Sequence, residues 1–129
     1  MKALIIYENP AVQKKKIYKD NKNRIGVYVW KNKFTGEKYV GSSLNLSQRF
    51  IKYFSISTLK RETLRNNSRI DRAIFKYEIQ NFTLEIMEYC DLNIIIEREQ
   101  FYLDNIKPIY NILAIAGSRV EFKHSEATK

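Results

Sequence analysis

RIGVYVWKNKFTGEKYVGSSLNLSQR, residues 24–49, contains two β-type runs, a turn and the start of a helix. From Arg24 the chain is β-branched and aromatic. Ile25, Val27 and Val29 fall on one face of an extended strand, and Gly26, Tyr28 and Trp30 on the other. Asn32 to Gly36 supply turn chemistry, and Lys38 to Ser42 return as an antiparallel second strand on which Tyr39 and Gly41 share a face. The hairpin brings Tyr28 within reach of Tyr39. Alternation alone leaves open whether they share a face, because register is not fixed by sequence. Asn45 or Ser43 caps a helix running from Leu46 to about Phe54. Its apolar stripe is Leu46, Phe50, Tyr53 and Phe54, with Arg49 at the edge of the stripe beside Tyr53. Two tyrosines from adjacent strands and an arginine from the next helix have the make-up of a site.

Downstream, residues 55–67 are polar and basic, and a second helix is expected from about Ser68 to Tyr77 with Ile70, Ala73, Ile74 and Tyr77 inward. Phe82 to Tyr89 alternates with period two and reads as a third strand, with Phe82, Leu84, Ile86 and, at its end, Glu88 on one face. A last helix, capped by Asp91 or Asn93, runs to about Asn105. Leu92, Ile95, Ile96, Tyr102, Leu103 and Ile106 form its broad apolar face, with Glu99 near the centre and Glu97 pointing away. A carboxylate in a core-facing stripe is costly unless it is paired or bound to a metal, so Glu99 requires a partner. A structural arginine and a metal ion both meet that requirement. Pro108 ends the helical region, Tyr110 to Leu113 packs back, and Ala114 to Lys129 is polar. Upstream, residues 1–23 show no sustained period. They hold Pro10, the Lys14-Lys15-Lys16 run and the turn-prone Asp20 to Asn23, and read as an arm or linker that either touches phosphate or is simply solvated.

Composition sets the class. The 129 residues carry 23 Lys and Arg against 14 Asp and Glu, a formal net charge of +9, which favours a polyanionic partner and nucleic acid first. No apolar run approaches the roughly 18 residues of a membrane span, so no membrane role is expected. Met1 to Tyr7 lacks the h-region and cleavage site of a targeting signal. Cys90 is the only cysteine, which excludes an internal disulfide and a zinc site built on paired cysteines. His124, the only histidine, lies in the polar tail, and there is no Gly-rich phosphate loop, so neither a hydrolytic triad nor nucleotide cradling is supported. What remains is phosphate chemistry by positioning: an arginine for phosphate, a carboxylate for a divalent ion, and hydroxyls to orient water.

Five features occur in order: Gly26-Val27-Tyr28, Tyr39-Val40-Gly41 followed by Ser42-Ser43, Arg49 on a helix, Glu99 within Arg98 to Tyr102, and Pro108-Ile109-Tyr110-Asn111. Over residues 24–115 the chain thereby resembles the GIY-YIG nucleases, and specifically their intron-encoded homing-endonuclease branch. The resemblance implies an α/β (α+β) fold, a three-stranded antiparallel sheet flanked by helices, with the active site on one sheet face. It implies hydrolysis of phosphodiester bonds in double-stranded DNA with a divalent ion, magnesium or another such as manganese. It makes Glu99 the metal ligand and assigns Arg49 to the scissile phosphate. Tyr28 would activate or orient water, and Tyr39 would complete the network. Tyr53, one turn after Arg49, is a secondary candidate, and Asn111 supports the site by hydrogen bonding. Gly26 and Gly41 are packing glycines. Val27 replaces the usual Ile, and Glu78 stands where many relatives have glycine, which puts that turn in question.

Residues 116–129 form a tail whose Phe122 to Lys129 resembles the start of a small DNA-binding module, which makes the chain a catalytic domain cut from something longer; an ordinary basic tail is the alternative. A monomer with a transient dimer on DNA is expected, in an intracellular setting that is an organelle such as the mitochondrion if an organellar intron encodes it. Two alternatives keep the same fold: a non-catalytic DNA-binding module or splicing cofactor, and a repair or restriction nuclease.

Overall fold

The computed structural model describes residues 2–55 and 69–111. In chain order the elements are β1 (Ile5–Tyr7), α1 (Lys14–Asp20), β2 (Gly26–Asn32), β3 (Lys38–Ser43), α2 (Leu46–Phe54) and α3 (Arg69–Tyr77). A 3-10 turn (Ile79–Asn81), β4 (Phe82–Tyr89), a second 3-10 turn (Leu92–Ile94) and α4 (Ile95–Ile106) follow. Most of the basic segment after α2, and the tail from Ile112 onward with His124, lie outside the described residues. No helix among the described residues is long and apolar enough to cross a membrane.

The hairpin, its turn and the helix behind it form as their residue patterns require, and Asn45 caps α2 by accepting from the Gln48 amide at 3.4 Å. The strands form one antiparallel sheet in the order β1-β4-β2-β3. The expected three strands are β2, β3 and β4. The fourth, β1, comes from the segment read as an arm, with Ile5 opposite Ile86 and Tyr7 opposite Leu84. A strand of three residues and a helix of seven are too short to carry a detectable period, which is why the sequence pattern is silent there. Burial fixes them instead. Tyr7, Ile17 and Asn21 are fully buried. The Tyr7 hydroxyl donates to Asp20 Oδ2 at 2.8 Å, and Asn21 Nδ2 donates to the Ile17 carbonyl at 2.8 Å. Tyr89 donates its hydroxyl proton to Asn21 Oδ1 at 2.8 Å, tying α1 to the end of β4.

The sheet has two covered faces. Tyr28, Trp30, Tyr39, Phe82, Leu84 and Ile86 pack against Ile17 of α1, Leu46, Phe50 and Tyr53 of α2, and Ile70, Ala73 and Ile74 of α3. On the other face Val27, Val29, Val40 and Met87 meet Ile95, Tyr102 and Leu103 of α4. Between Val27 and Tyr28 the register jumps, with Val27 opposite Glu88 and Tyr28 opposite Ile86, so β4 carries one extra residue. The bulge moves Glu88 off the face expected from strict alternation and onto the α4 side. There Arg98 Nε and Nη2 grip its carboxylate at 2.8 to 3.0 Å, and the Tyr102 hydroxyl donates to it at 2.7 Å. The Arg98 hydrogen bonds hold the Glu88 carboxyl below its ordinary 4.5.

The packing face of α4 is narrower than its composition suggests. Leu92 sits in the 3-10 turn and Ile96 stands about 100° round the helix from Ile95, leaving them 61% and 41% exposed. Neither Asp91 nor Asn93 caps α4. Its N-cap position is Ile94, whose amide bonds back to the Asp91 carbonyl at 3.2 Å.

Glu78 explains the departure at the turn before β4. Its backbone has φ 72° and ψ 141°, a region that glycine tolerates and a side chain does not. Hydrogen bonds from its own amide to Ile74 and from the Asn81 amide to its carbonyl hold it there. Glu78→Gly is therefore expected to stabilise the domain, by about 1 kcal/mol. Chemical denaturation of the two proteins checks this, and a lowered midpoint for the glycine variant contradicts strain at this position.

Candidate active site

The register brings Tyr28 and Tyr39 to the same face. Tyr28 lies opposite Gly41, and Trp30 opposite Tyr39. The Tyr28 and Tyr39 rings stand 6.3 Å apart, and the Tyr28 ring meets Phe50 edge-on at 5.1 Å. Tyr28 lies directly over the bare backbone of Gly41. A Cβ there would come within 2.6 Å of the Tyr28 phenol carbon and oxygen and 2.7 Å of the Tyr39 ring. Gly26 is similarly enclosed, by the Glu88 carbonyl and the Leu46 side chain.

From α2, Tyr53 shares a 2.8 Å hydrogen bond between its hydroxyl and that of Tyr28. Arg49, one turn earlier on the helix, sends Nε to the Tyr28 hydroxyl and Nη2 to the Tyr53 hydroxyl, both at a long 3.4 Å. Its guanidinium carbon stands 4.9 Å from the Tyr53 ring centre. The stripe-edge position is responsible: Leu46, Phe50 and Tyr53 point into the core, and Arg49 remains half-buried at the rim. Burial pushes the Tyr53 phenol well above its ordinary 10. Arg49 opposes that rise, while Tyr28, Tyr39 and the Asp71 carboxylate add to it.

Glu99, 4% exposed, sits on the packing face of α4 beside Ile95, Tyr102 and Leu103. Its Oε1 accepts from Ser42 Oγ at 2.7 Å. Ser42 alternates with Gly41 and so belongs to the α4 side. Tyr28, Tyr39, Tyr53 and Arg49 therefore lie on the α2 side of the sheet, and Glu99 reaches β3 from the α4 side. β3 is an edge strand, so the two sides adjoin along it. Asn111 braces that edge: its Oδ1 accepts from the Val40 amide and its Nδ2 donates to the Val40 carbonyl, each at 2.9 Å. The neighbouring Tyr110 amide donates to the Lys38 carbonyl at 3.0 Å, and Asn32 Nδ2 donates to the Tyr110 hydroxyl at 3.1 Å.

Two residues near the site receive no role in a reading of the motifs. Ser42 is the strand partner of Glu99, and it follows the second tripeptide directly, so its opposite side-chain direction is available from alternation. Asp71, 3% exposed on α3, is a buried carboxylate close enough to influence Tyr53. Its spacing of three from Ile74 places it on the edge of the buried stripe.

The sequence profile of the GIY-YIG catalytic domain matches residues 24–111. The chain belongs to the GIY-YIG family. Within this GIY-YIG domain the two tripeptides that give the family its name cross-pair, the tyrosine of the first covering the glycine of the second. A relative described as a probable intron-encoded endonuclease bI1 of Neurospora crassa is 32% identical over 120 residues. The match takes in 87% of this chain and 25% of that protein, so the chain spans about a quarter of the length of the relative. Two structures of the catalytic domain of the intron and homing endonuclease I-TevI share the fold. One, of a variant, has a TM-score of 0.57 at 23% identity and covers 72% of this chain and 97% of its own. The other has a TM-score of 0.55 at 24% identity and covers 70% and 99%. The mixed α and β architecture expected for GIY-YIG is thus the one observed, with β1 added to the sheet.

Two outcomes follow from this geometry. Gly41→Ala is expected to force Tyr28 off Gly41, lowering stability by about 1 to 3 kcal/mol through overpacking. Circular dichroism melts test this, and an unchanged melting temperature rules the close contact out. The second concerns alkaline pH. Burial raises Tyr53 together with Tyr7, Tyr18, Tyr89, Tyr102 and Tyr110 above the ordinary phenol value of 10. The unfolded chain then releases phenol protons before the folded one does. The stability contributed by these groups is complete below about pH 10 and is lost as pH rises toward the folded values. Urea midpoints should fall between about pH 9 and pH 11. A flat profile across that interval is incompatible with this burial.

Proposed function

We propose that the chain is a divalent-metal-dependent endonuclease domain of the homing type, hydrolysing phosphodiester bonds of double-stranded DNA. The observation that carries this reading is the Tyr28, Tyr53 and Arg49 hydrogen-bonded cluster beside Gly41, on the strand whose next residue, Ser42, holds Glu99. Family membership and the net charge of +9 support it.

Arg49 is the member of the cluster that reaches solvent, and it takes the scissile phosphate. Its two contacts to phenols orient the guanidinium plane, which suits bidentate binding of phosphate oxygens and stabilises the charge that builds on them. Tyr53 keeps its proton through the neutral range because burial raises it, so it serves as a hydrogen-bonding post and not as a base. Tyr28, tied to Tyr53 and reached by Arg49, orients the attacking water, and Tyr39 walls the same space. Asn111 keeps β3 in place.

Glu99 fits a hard divalent ion, magnesium or manganese, by the chemistry of its carboxylate. Among the described residues no group of three or more His, Cys, Asp or Glu side chains converges. Glu99 would hold such an ion by its carboxylate, with water and substrate phosphate completing the shell. When bound, such an ion polarises the phosphate and neutralises developing negative charge. One site of this kind cuts one strand, and double-strand cleavage requires a dimer, two sequential visits or reorientation on the DNA. The intron-encoded description of the Neurospora relative supports an intracellular setting, in an organelle where the encoding intron is organellar.

Glu99→Gln is expected to abolish magnesium-dependent nicking of plasmid DNA. Arg49→Ala should keep DNA affinity while the single-turnover rate falls by about 10²- to 10³-fold. Equal cleavage by wild type and Glu99→Gln removes Glu99 from the chemistry, and binding without nicking in any divalent metal favours the non-catalytic reading.

A further inference from the structure

We propose that α1 and the first turn of α2 form a second contact surface, a cleft that holds the DNA phosphate backbone beside the catalytic cluster. The identity of the partner as DNA rests on the function proposed above. The cleft itself rests on where five lysines go.

Residues 14–22 hold Lys14, Lys15, Lys16, Lys19 and Lys22. As an unstructured arm they would form one diffuse charge, but helix α1 sorts them. Lys14 turns to the Phe54 ring, 5.6 Å from its centre, and Lys16 pairs with Asp20 at 3.3 Å. Lys15 and Lys19, one helical turn apart and so on one face, converge with Lys22 on a shallow cleft of about 500 Å³. All three are exposed. The cleft is also lined by Asn23, Asn45 and Gln48, uncharged amides able to donate hydrogen bonds. A cationic lip beside neutral donors suits a polyanionic strand. A shallow, open trough does not enclose a small molecule.

Its position links it to the site. Gln48 lines the cleft and the next residue of α2, Arg49, belongs to the catalytic cluster. A strand with its scissile phosphate at Arg49 can lay neighbouring phosphates along Lys15, Lys19 and Lys22. These three lysines precede residue 24, where the family match begins, whereas Asn45 and Gln48 lie within it, so the cleft joins the N-terminal segment to the family domain.

The test measures the affinity for a short random-sequence duplex by fluorescence anisotropy, in a Glu99→Gln background, between about 50 and 200 mM salt. The triple change Lys15→Gln, Lys19→Gln and Lys22→Gln is expected to flatten the slope of log affinity against log salt by about 2 to 3, uniformly across sequences. Arginine at the same three positions should retain the slope. A matched triple of exposed lysines elsewhere, Lys33→Gln, Lys76→Gln and Lys107→Gln, should change it by less than about half a unit. The inference is overturned by an unchanged slope in the cleft triple, by an equal loss in the matched triple, or by a parent protein that does not bind DNA. Cleavage by wild type in magnesium is scored separately. A flattened slope with an inactive wild type sustains the cleft and defeats the nuclease reading, and an active wild type with an unchanged slope does the reverse.

Discussion

The contact on which the site depends is the Tyr28 ring lying over the bare α-carbon of Gly41. It requires a glycine on β3, because no side chain fits under the phenol. It also aims the Tyr28 hydroxyl outward to Tyr53 and Arg49. The central strand and the edge strand are thus joined by backbone pairing and by a ring filling the space a side chain would occupy. The order of the sheet reinforces this. β2 has a strand on either side, so Tyr28 stands on an internal strand and Tyr39 on an edge strand.

Support for Glu99 comes from the opposite side by a different device. The bulge in β4 redirects Glu88 to α4, where Arg98 and Tyr102 engage it, and Arg98 is the residue directly before Glu99. The forked contact fixes the rotation of α4 about its own axis, and that rotation decides whether Glu99 faces Ser42. The ion pair is partly solvated, so its contribution to stability is modest. Its geometric effect is larger: it helps set the angle of a helix whose buried carboxylate meets Ser42 of β3. A buried acid held by a hydroxyl stays within a hydrogen-bonded setting, which lowers the cost that burial otherwise imposes.

Much of this is legible in the residues. Turn chemistry between two β-type runs locates the hairpin, Asn45 announces α2, and the position of Glu99 in an apolar stripe is enough to demand a partner for it. Arg49 at a stripe edge is likewise readable, since the angle of 100° per residue is insensitive to tertiary context. What is not legible depends on relations between segments. The register that gives Tyr28 and Tyr39 a common face is set by pairing, and the displacement of Glu88 by one extra residue in β4. β1 and α1 are too short to announce themselves and are fixed by the burial of Tyr7, Ile17 and Asn21. Asp71 escapes the pattern because a carboxylate at the margin of a short helical stripe is usually solvated, and here it is buried. The glycine expected at Glu78 is a correct sign of an unusual backbone, which the glutamate adopts anyway.

The Asn111 carboxamide has one further consequence. A primary amide offers the same donor and acceptor pair as a peptide group, and here both are presented to Val40, whose amide and carbonyl face away from the sheet. The side chain acts as a one-residue imitation of a missing strand, and the Tyr110 amide extends the imitation to Lys38. An exposed sheet edge invites pairing with other chains. The strand that carries Tyr39 and Gly41 is therefore plugged at its midpoint, where Val40 has no backbone group left to offer an added strand.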